Sequence, residues 1–318
     1  MSEKALPWVN PLIRQRADPF VLRHSDGYYY FTASVPEYDR LELRRARDIA
    51  GLAAARPVDV WRKSESGPLS NLIWAPEIHH VNGAWYIYFA AAPSRQIKNG
   101  LFQHRIFIVS TSAANPLDGE WELEGRLDTG MDTFSLDTTS FQYQGRQYLV
   151  WAQKDLAIPG NSNLYIAPMA VPWQLSGPAI MLSRPEFDWE TQGFAVNEGP
   201  AVLIRRGRVF LSYSASATDE RYCMGLLHAA EGADLLDRRS WAKMAQPVFQ
   251  SCEARSVYGP GHNSFTVSES GDRDLIVYHA RNYRKIEGDP LWNPDRHTCV
   301  QPLDWDAAGM PVFGLPSG

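Results

Sequence analysis

The chain has 318 residues, a formal net charge of −5 and 21% charged residues, a composition that excludes disordered, collagen-like and coiled-coil classes. Its aromatic content of 12%, carried by 11 Trp, 14 Tyr and 13 Phe beside 23 Gly and 22 Pro, favours short strands punctuated by turns. No basic face suits nucleic acid, three scattered cysteines make no disulfide framework, and no apolar run reaches the ~18 residues of a spanning helix, so neither a nucleic-acid nor a membrane partner is expected.

From the N-terminus, residues 1–20 contain no basic segment followed by an apolar run, the pattern of a secretory leader, and the expectation is a cytoplasmic protein. The first strand pattern is Asp18-Pro-Phe-Val-Leu-Arg, followed by a turn at Gly27 and an aromatic strand over 28–34. Arg44, Arg45 and Arg47 read as a solvated surface, within a stretch, 41–55, that reads as helical. Trp74-Ala-Pro-Glu-Ile-His, Gly83 and a strand over 84–92 repeat the opening pattern, and 91–103, rich in Pro, Ser, Lys and Gly, reads as a long loop. The pattern recurs at Asp137, Gly145 and 147–153, and at Glu198, Gly207 and 209–216. After a second helical reading over 233–244 it returns at His262, Gly271 and 274–281.

Five equivalents of strand, glycine turn and aromatic strand, about 60 residues apart, describe an all-β, five-bladed β-propeller, because each blade buries against its neighbours what it cannot bury alone. The expected organisation is a single domain over 1–318. The first strand of a propeller blade lies nearest the axis. The residues that lead those strands, Asp18, Trp74, Asp137, Glu198 and His262, are therefore expected to converge on one pocket.

Three carboxylates on a shared axis repel one another and raise one another's pKa. They either bind a cation or divide acid and base work between them. Glycoside cleavage needs one carboxylic acid to protonate the leaving oxygen and a second carboxylate across the sugar. Glu198, at a strand start amid apolar neighbours, suits the acid, and Asp18 suits the base. Asp137 is expected to orient the sugar and to keep Glu198 protonated through its own negative charge. Taken singly, each carboxylate also reads as a turn or backbone partner; their equivalence in three repeats argues for shared chemistry. Trp74 offers a ring for stacking on a sugar or for the core. His262 is a ligand for a metal or a channel water, or a local hydrogen-bond partner. Arg281 is expected to direct its donors to the same end of the channel, with a salt bridge as the competing role.

At Ala17-Asp18-Pro19, Trp74-Ala75-Pro76-Glu77, Leu136-Asp137, Asn197-Glu198-Gly199-Pro200, Gly259-Pro260-Gly261-His262-Asn263 and His279-Ala280-Arg281 the sequence resembles glycoside hydrolase family 43 over nearly its whole length. The resemblance implies a five-bladed propeller with an inverting mechanism, in which Asp18 is the general base, Asp137 adjusts the acid and orients the sugar, and Glu198 is the general acid. It also implies Trp74 and Arg281 as substrate-binding residues and His262 near a structural calcium or other ion, with no cofactor required for the chemistry. Thr138 departs from the Pro or Gly common after the middle Asp. The expected substrate is an oligosaccharide, and the expected activity is the exo-acting release of terminal α-L-arabinofuranosyl residues, with Phe134 lining the innermost sugar pocket. A β-xylosidase of the same family, or a non-catalytic carbohydrate-binding propeller, is the alternative.

Overall fold

A computed structural model describes residues 6–318; the first five residues of the N-terminal stretch read above lie outside it. The chain forms five antiparallel sheets in sequence order. Blade 1 holds β1 (Ala17–Arg23), β2 (Tyr29–Ser34), β3 (Arg40–Ala46) and β4 (Val58–Arg62), with helix α1 (Ile49–Ala54) before β4. Blade 2 holds β5 (Asn71–Val81), β6 (Ala84–Ala92), β7 (Arg105–Thr111) and β8 (Glu122–Arg126). Blade 3 holds β9 (Ser135–Tyr143), β10 (Arg146–Gln153), β11 (Asn163–Val171), β12 (Gln174–Leu175) and β13 (Ile180–Ser183), the last two both paired with β11. Blade 4 holds β14 (Asn197–Arg205), β15 (Arg208–Ala215), β16 (Cys223–Ala230) and β17 (Ala242–Lys243). Blade 5 holds β18 (Tyr258–Val267), β19 (Asp274–Arg281) and β20 (His297–Pro302), and a short hairpin, β21 (Asp304–Trp305) and β22 (Pro311–Val312), follows it.

The five-bladed propeller expected from the repeat is the fold observed. The first hairpin of each blade turns at the glycine that marked it: Gly27, Gly83, Gly145, Gly207 and Gly271 all have positive φ, a backbone region open to glycine without steric cost.

Five hydrophobic clusters lie between neighbouring blades. Tyr30, Leu41 and Leu43 pack on Ile78, Trp85 and Phe89, Tyr88 and Ile108 on Leu149 and Trp151, and Val150 and Ile166 on Leu211 and Tyr213. Phe210 and Met224 pack on Ile276 and Tyr278. The fifth cluster closes the ring by joining Val277 and Val300 to Val21 and Phe31, with Trp8, Leu12 and Ile13 between them. The N-terminal segment also pairs with the edge of β20: the Leu12 N–H donates to the Thr298 carbonyl (2.8 Å), and the Thr298 N–H donates to that of Ile13 (2.9 Å). Blade 5 is thus completed by residues from the start of the chain.

Two helical expectations fail. Residues 41–46 belong to β3, because Leu41 and Leu43 are buried at strand spacing and only 49–54 is helical. Residues 233–244 contain a single short 3₁₀ turn, Arg238–Ser240, capped by Asp237. Arg44 also departs from the expected solvated surface: it is buried and directs its guanidinium to Glu42 and the carbonyl of Leu52. Arg45 and Arg47 lie over the ring of Tyr28.

Candidate active site

The innermost strands share a local device. Each breaks its ladder with a bulge near its start, and each places a residue there in the left-handed region: Asp18 (φ 55°), Ala75 (46°), Asp137 (52°), Gly199 (54°) and His262 (44°). For a non-glycine residue such a conformation costs ~1–3 kcal/mol, and a bulge re-aims a side chain that a regular pleat would point elsewhere. Pro19, Pro76 and Pro200 follow three of these residues and remove a backbone donor where the ladder is interrupted. Asp18, Asp137 and His262 are themselves the left-handed residue. Trp74 and Glu198 precede theirs by one position.

Asp18, Trp74, Phe134, Asp137, Glu198 and His262 line one cavity of about 510 Å³. The expected loop over 91–103 contributes Ile97, Gly100, Leu101 and Phe102 to its rim.

Asp18 is buried among a hydroxyl donor, two imidazoles and one guanidinium. The Ser34 hydroxyl donates to Oδ2 (2.6 Å), and the Arg296 guanidinium lies 3.4 Å from Oδ1. The Asp18 N–H donates to His279 Nδ1 (3.1 Å), and His262 Nδ1 is 3.4 Å from Oδ1. Burial by itself opposes ionisation, but the field of His262 and Arg296 and the contact with His279 outweigh it. The carboxyl is held well below the usual range.

Glu198 is in the opposite condition. Burial pushes its carboxyl up, the negative charge of Asp18 adds to that, and the hydrogen bond from Tyr222 with the more distant Arg296 only partly offset it, leaving it at about 7. The Tyr222 hydroxyl donates to Oε1 at 2.8 Å. The strand start is anchored one residue earlier, where Asn197 donates to Glu190 Oε1 (3.0 Å) and accepts from Ser183 (2.6 Å). Asp137 accepts the Gly199 N–H on Oδ2 at 2.9 Å. Its carboxyl is raised by burial first, then by Glu198 and Asp18. Glu198 and Asp137 thus lie on one side of the site, each carboxyl pushed up by burial and then by the negative charges around it.

Trp74 is 9% exposed in the cavity wall, stacked on His104 (4.0 Å between centroids, 24°) and flanked by Phe102. Arg281 does not line the cavity. Its Nε donates to Asn293 Oδ1 (3.1 Å), and its terminal nitrogens donate to the carbonyls of Thr218 (2.7 Å) and Pro290 (2.8 Å), two residues that do form the cavity wall. It braces that wall from behind, and the guanidinium facing the cavity is that of Arg296. Arg296, Tyr222 and His279 were missed because they lie off the leading positions of the repeat, on a loop, before a third strand and within a second strand. Only the His279-Ala280-Arg281 motif touched one of them.

His262 donates its backbone N–H to Ser214 Oγ (2.7 Å) and lies 3.8 Å from Asp137 as well as beside Asp18. Burial pushes its imidazole below the ordinary value. Among the described residues no group of three His, Cys, Asp or Glu side chains is arranged to hold a metal ion, and the groups facing His262 are already engaged with Arg296 and the Gly199 N–H.

The model of the family described as Glycosyl hydrolases family 43 matches residues 8–311. The chain belongs to glycosyl hydrolase family 43. A crystal structure of an α-L-arabinofuranosidase from Lactobacillus brevis superposes on this family-43 chain with a TM-score of 0.97 at 55% identity, covering 99% of the one and 98% of the other. An extracellular exo-α-(1→5)-L-arabinofuranosidase of Streptomyces avermitilis is 51% identical over 99% of this chain, which spans 65% of that protein's length. A protein of the same name from Streptomyces chartreusis is 50% identical over 91% of this chain and 87% of its own length. The description of both Streptomyces proteins as extracellular overturns the cytoplasmic expectation, which rested on the composition of the N-terminal stretch; where a chain begins carries no information on export.

Proposed function

We propose that this propeller is an exo-acting, inverting α-L-arabinofuranosidase that works as a single catalytic unit on arabinose-containing oligosaccharides outside the cell. The observation that carries the chemistry is the pairing, in one cavity, of a carboxyl held ionised, Asp18, with a carboxyl that keeps its proton up to about pH 7, Glu198. Divergent carboxyl pKa values in one site assign acid and base. Glu198 gives its proton to the departing glycosidic oxygen as the C–O bond breaks. Asp18 takes a proton from a water that attacks the anomeric carbon from the opposite face, so the α-linked sugar leaves as the β-anomer. Asp137, tethered to the Gly199 N–H, holds the protonated side of the site in place and offers its second oxygen to the sugar. Trp74, Phe134 and Arg296 are proposed to bind the terminal sugar. Loops at 97–102, 193–194 and 289–291 wall the cavity, which favours a chain end over a chain interior. The arabinofuranosidase names of the relatives at about 50% identity support the choice of sugar.

The test is hydrolysis of p-nitrophenyl α-L-arabinofuranoside beside p-nitrophenyl β-D-xylopyranoside, with α-1,5-arabino-oligosaccharides followed by proton NMR. Preference for the arabinoside and first appearance of β-arabinose support the proposal. Preference for the xyloside would move the specificity to β-xylosidase, and first appearance of the α-anomer would remove the inverting assignment.

A further inference from the structure

The Tyr222–Glu198 hydrogen bond carries an inference about which oxygen of the acid does the work; it rests on the acid role proposed for Glu198. Tyr222 is 1% exposed yet borders the cavity, and its hydroxyl donates to Glu198 Oε1 at 2.8 Å. Its ring lies parallel to that of His279, 5.5 Å away with a 9° interplanar angle, and His279 in turn accepts the N–H of Asp18. The space beside the ring is reserved: a Cβ on Gly261 would lie 2.5 Å from Tyr222 Cε1. One aromatic residue thus touches the acid through its hydroxyl and the support of the base through its face.

We propose that Tyr222 is a positioning residue that fixes the transferable proton of Glu198 on Oε2 and stabilises the carboxylate left when that proton departs. An oxygen that accepts a hydrogen bond from Tyr222 is the poorer place for the acid's own proton, so the proton sits on the other oxygen. When Oε2–H passes its proton to the glycosidic oxygen, the negative charge is shared with Oε1, where the phenol is already directed. A hydrogen bond that favours the ionised form lowers an acid's pKa. The groups facing Glu198 besides Tyr222 are Asp18 and Asp137, which oppose its ionisation, and Arg296, which favours it.

The experiment is Tyr222→Phe, which keeps the ring on His279 and removes only the hydroxyl. Hydrolysis of α-1,5-arabinobiose should lose about tenfold or more in kcat with a small change in KM, the dinitrophenyl arabinoside should lose less, and the alkaline limb of kcat/KM should move up by about one unit. An alkaline limb that stays put or moves down, or equal losses on both substrates, overturns the proposal. A second measurement needs no turnover: carbon NMR titration of labelled glutamate carboxyls, with Glu198 assigned by its absence in Glu198→Gln. A raised Glu198 midpoint in Tyr222→Phe supports the inference even if arabinofuranosides prove not to be the substrate, and an unmoved midpoint refutes it whatever the activity. Wild-type inactivity on every arabinoside tried counts against the proposed function alone.

Discussion

Asp18 is buried and Glu198 partly so in the wall of the same cavity, and desolvation pushes both carboxyls up, yet Asp18 is held ionised while Glu198 keeps its proton up to about pH 7. The difference lies in their neighbours. On the side where blades 1 and 5 meet, Asp18 faces the Arg296 guanidinium, two imidazoles and the Ser34 hydroxyl. On the side of blades 3 and 4, Glu198 and Asp137 face one another, a phenol and a backbone N–H, with only the imidazole of His262, 3.8 Å from Asp137, reaching across. Loss of solvent does not separate the two carboxyls here; the presence of a permanent cation beside Asp18 does.

The largest effects should come from removing either end. Asp18→Asn should reduce turnover by about 10²- to 10⁴-fold on every substrate, because a water must be activated whatever the leaving group. Glu198→Gln should match that loss on arabino-oligosaccharides and lose far less on a dinitrophenyl arabinoside, whose leaving group needs no proton. Equal leaving-group dependence in the two variants would break the division of labour between the two sides.

Arg296→Met cuts the comparison at its cause. Without the guanidinium 3.4 Å away, the Asp18 carboxyl rises, and the acidic limb of kcat/KM should move up by about 1–3 units. Arg296 also weakly favours ionised Glu198, so the alkaline limb should rise too, by less. Equal movement of the two limbs would mean that Arg296 serves both sides alike, and an unmoved acidic limb would mean that the imidazoles alone keep Asp18 ionised.

What the sequence made legible was the part carried by the repeat. The glycine turns, the aromatic second strands and the five leading residues recur at one spacing, and a propeller turns equal spacing into a shared axis. The bulge that aims those residues was half-visible in the prolines after Asp18, Ala75 and Gly199, while Asp137 reaches the same backbone conformation before Thr138. Arg281 was misplaced because a strand's period tells which face a side chain takes, not which loops fold over it; Thr218 and Pro290 arrive from elsewhere and occupy its donors. Arg296 and Tyr222 had no repeat partner to mark them. The stretch over 41–46, with two arginines suited to a helix, forms a strand because Leu41 and Leu43 fill the cluster between blades 1 and 2, where tertiary packing overrides local propensity.

The smallest effects, and opposite in sign, concern stability. Asp18→Asn leaves the buried Arg296 without its counter-charge and should destabilise the fold by about 3–5 kcal/mol at neutral pH. Because the folded-state carboxyl of Asp18 lies below its unfolded value, its contribution is present above the unfolded pKa and is lost as pH falls through the folded one, so the gap to wild type should narrow toward acid. Glu198 lies above its unfolded value, at about 7 against 4.5. Its contribution is complete below pH 4.5 and is lost as pH rises through 7, which costs the wild type about 2–3 kcal/mol by pH 8. Glu198→Gln removes that loss and should be more stable than wild type at pH 8, with the gain shrinking toward pH 5. Denaturant unfolding at pH 5 and pH 8 measures the Glu198→Gln gain, and unfolding of Asp18→Asn at pH 3 and pH 5 measures the narrowing. A Glu198→Gln protein less stable than wild type at pH 8, or a gain that does not change with pH, would show that the acid is not held protonated by its surroundings; the contrast between the two sides of the cavity would then rest on Asp18 alone.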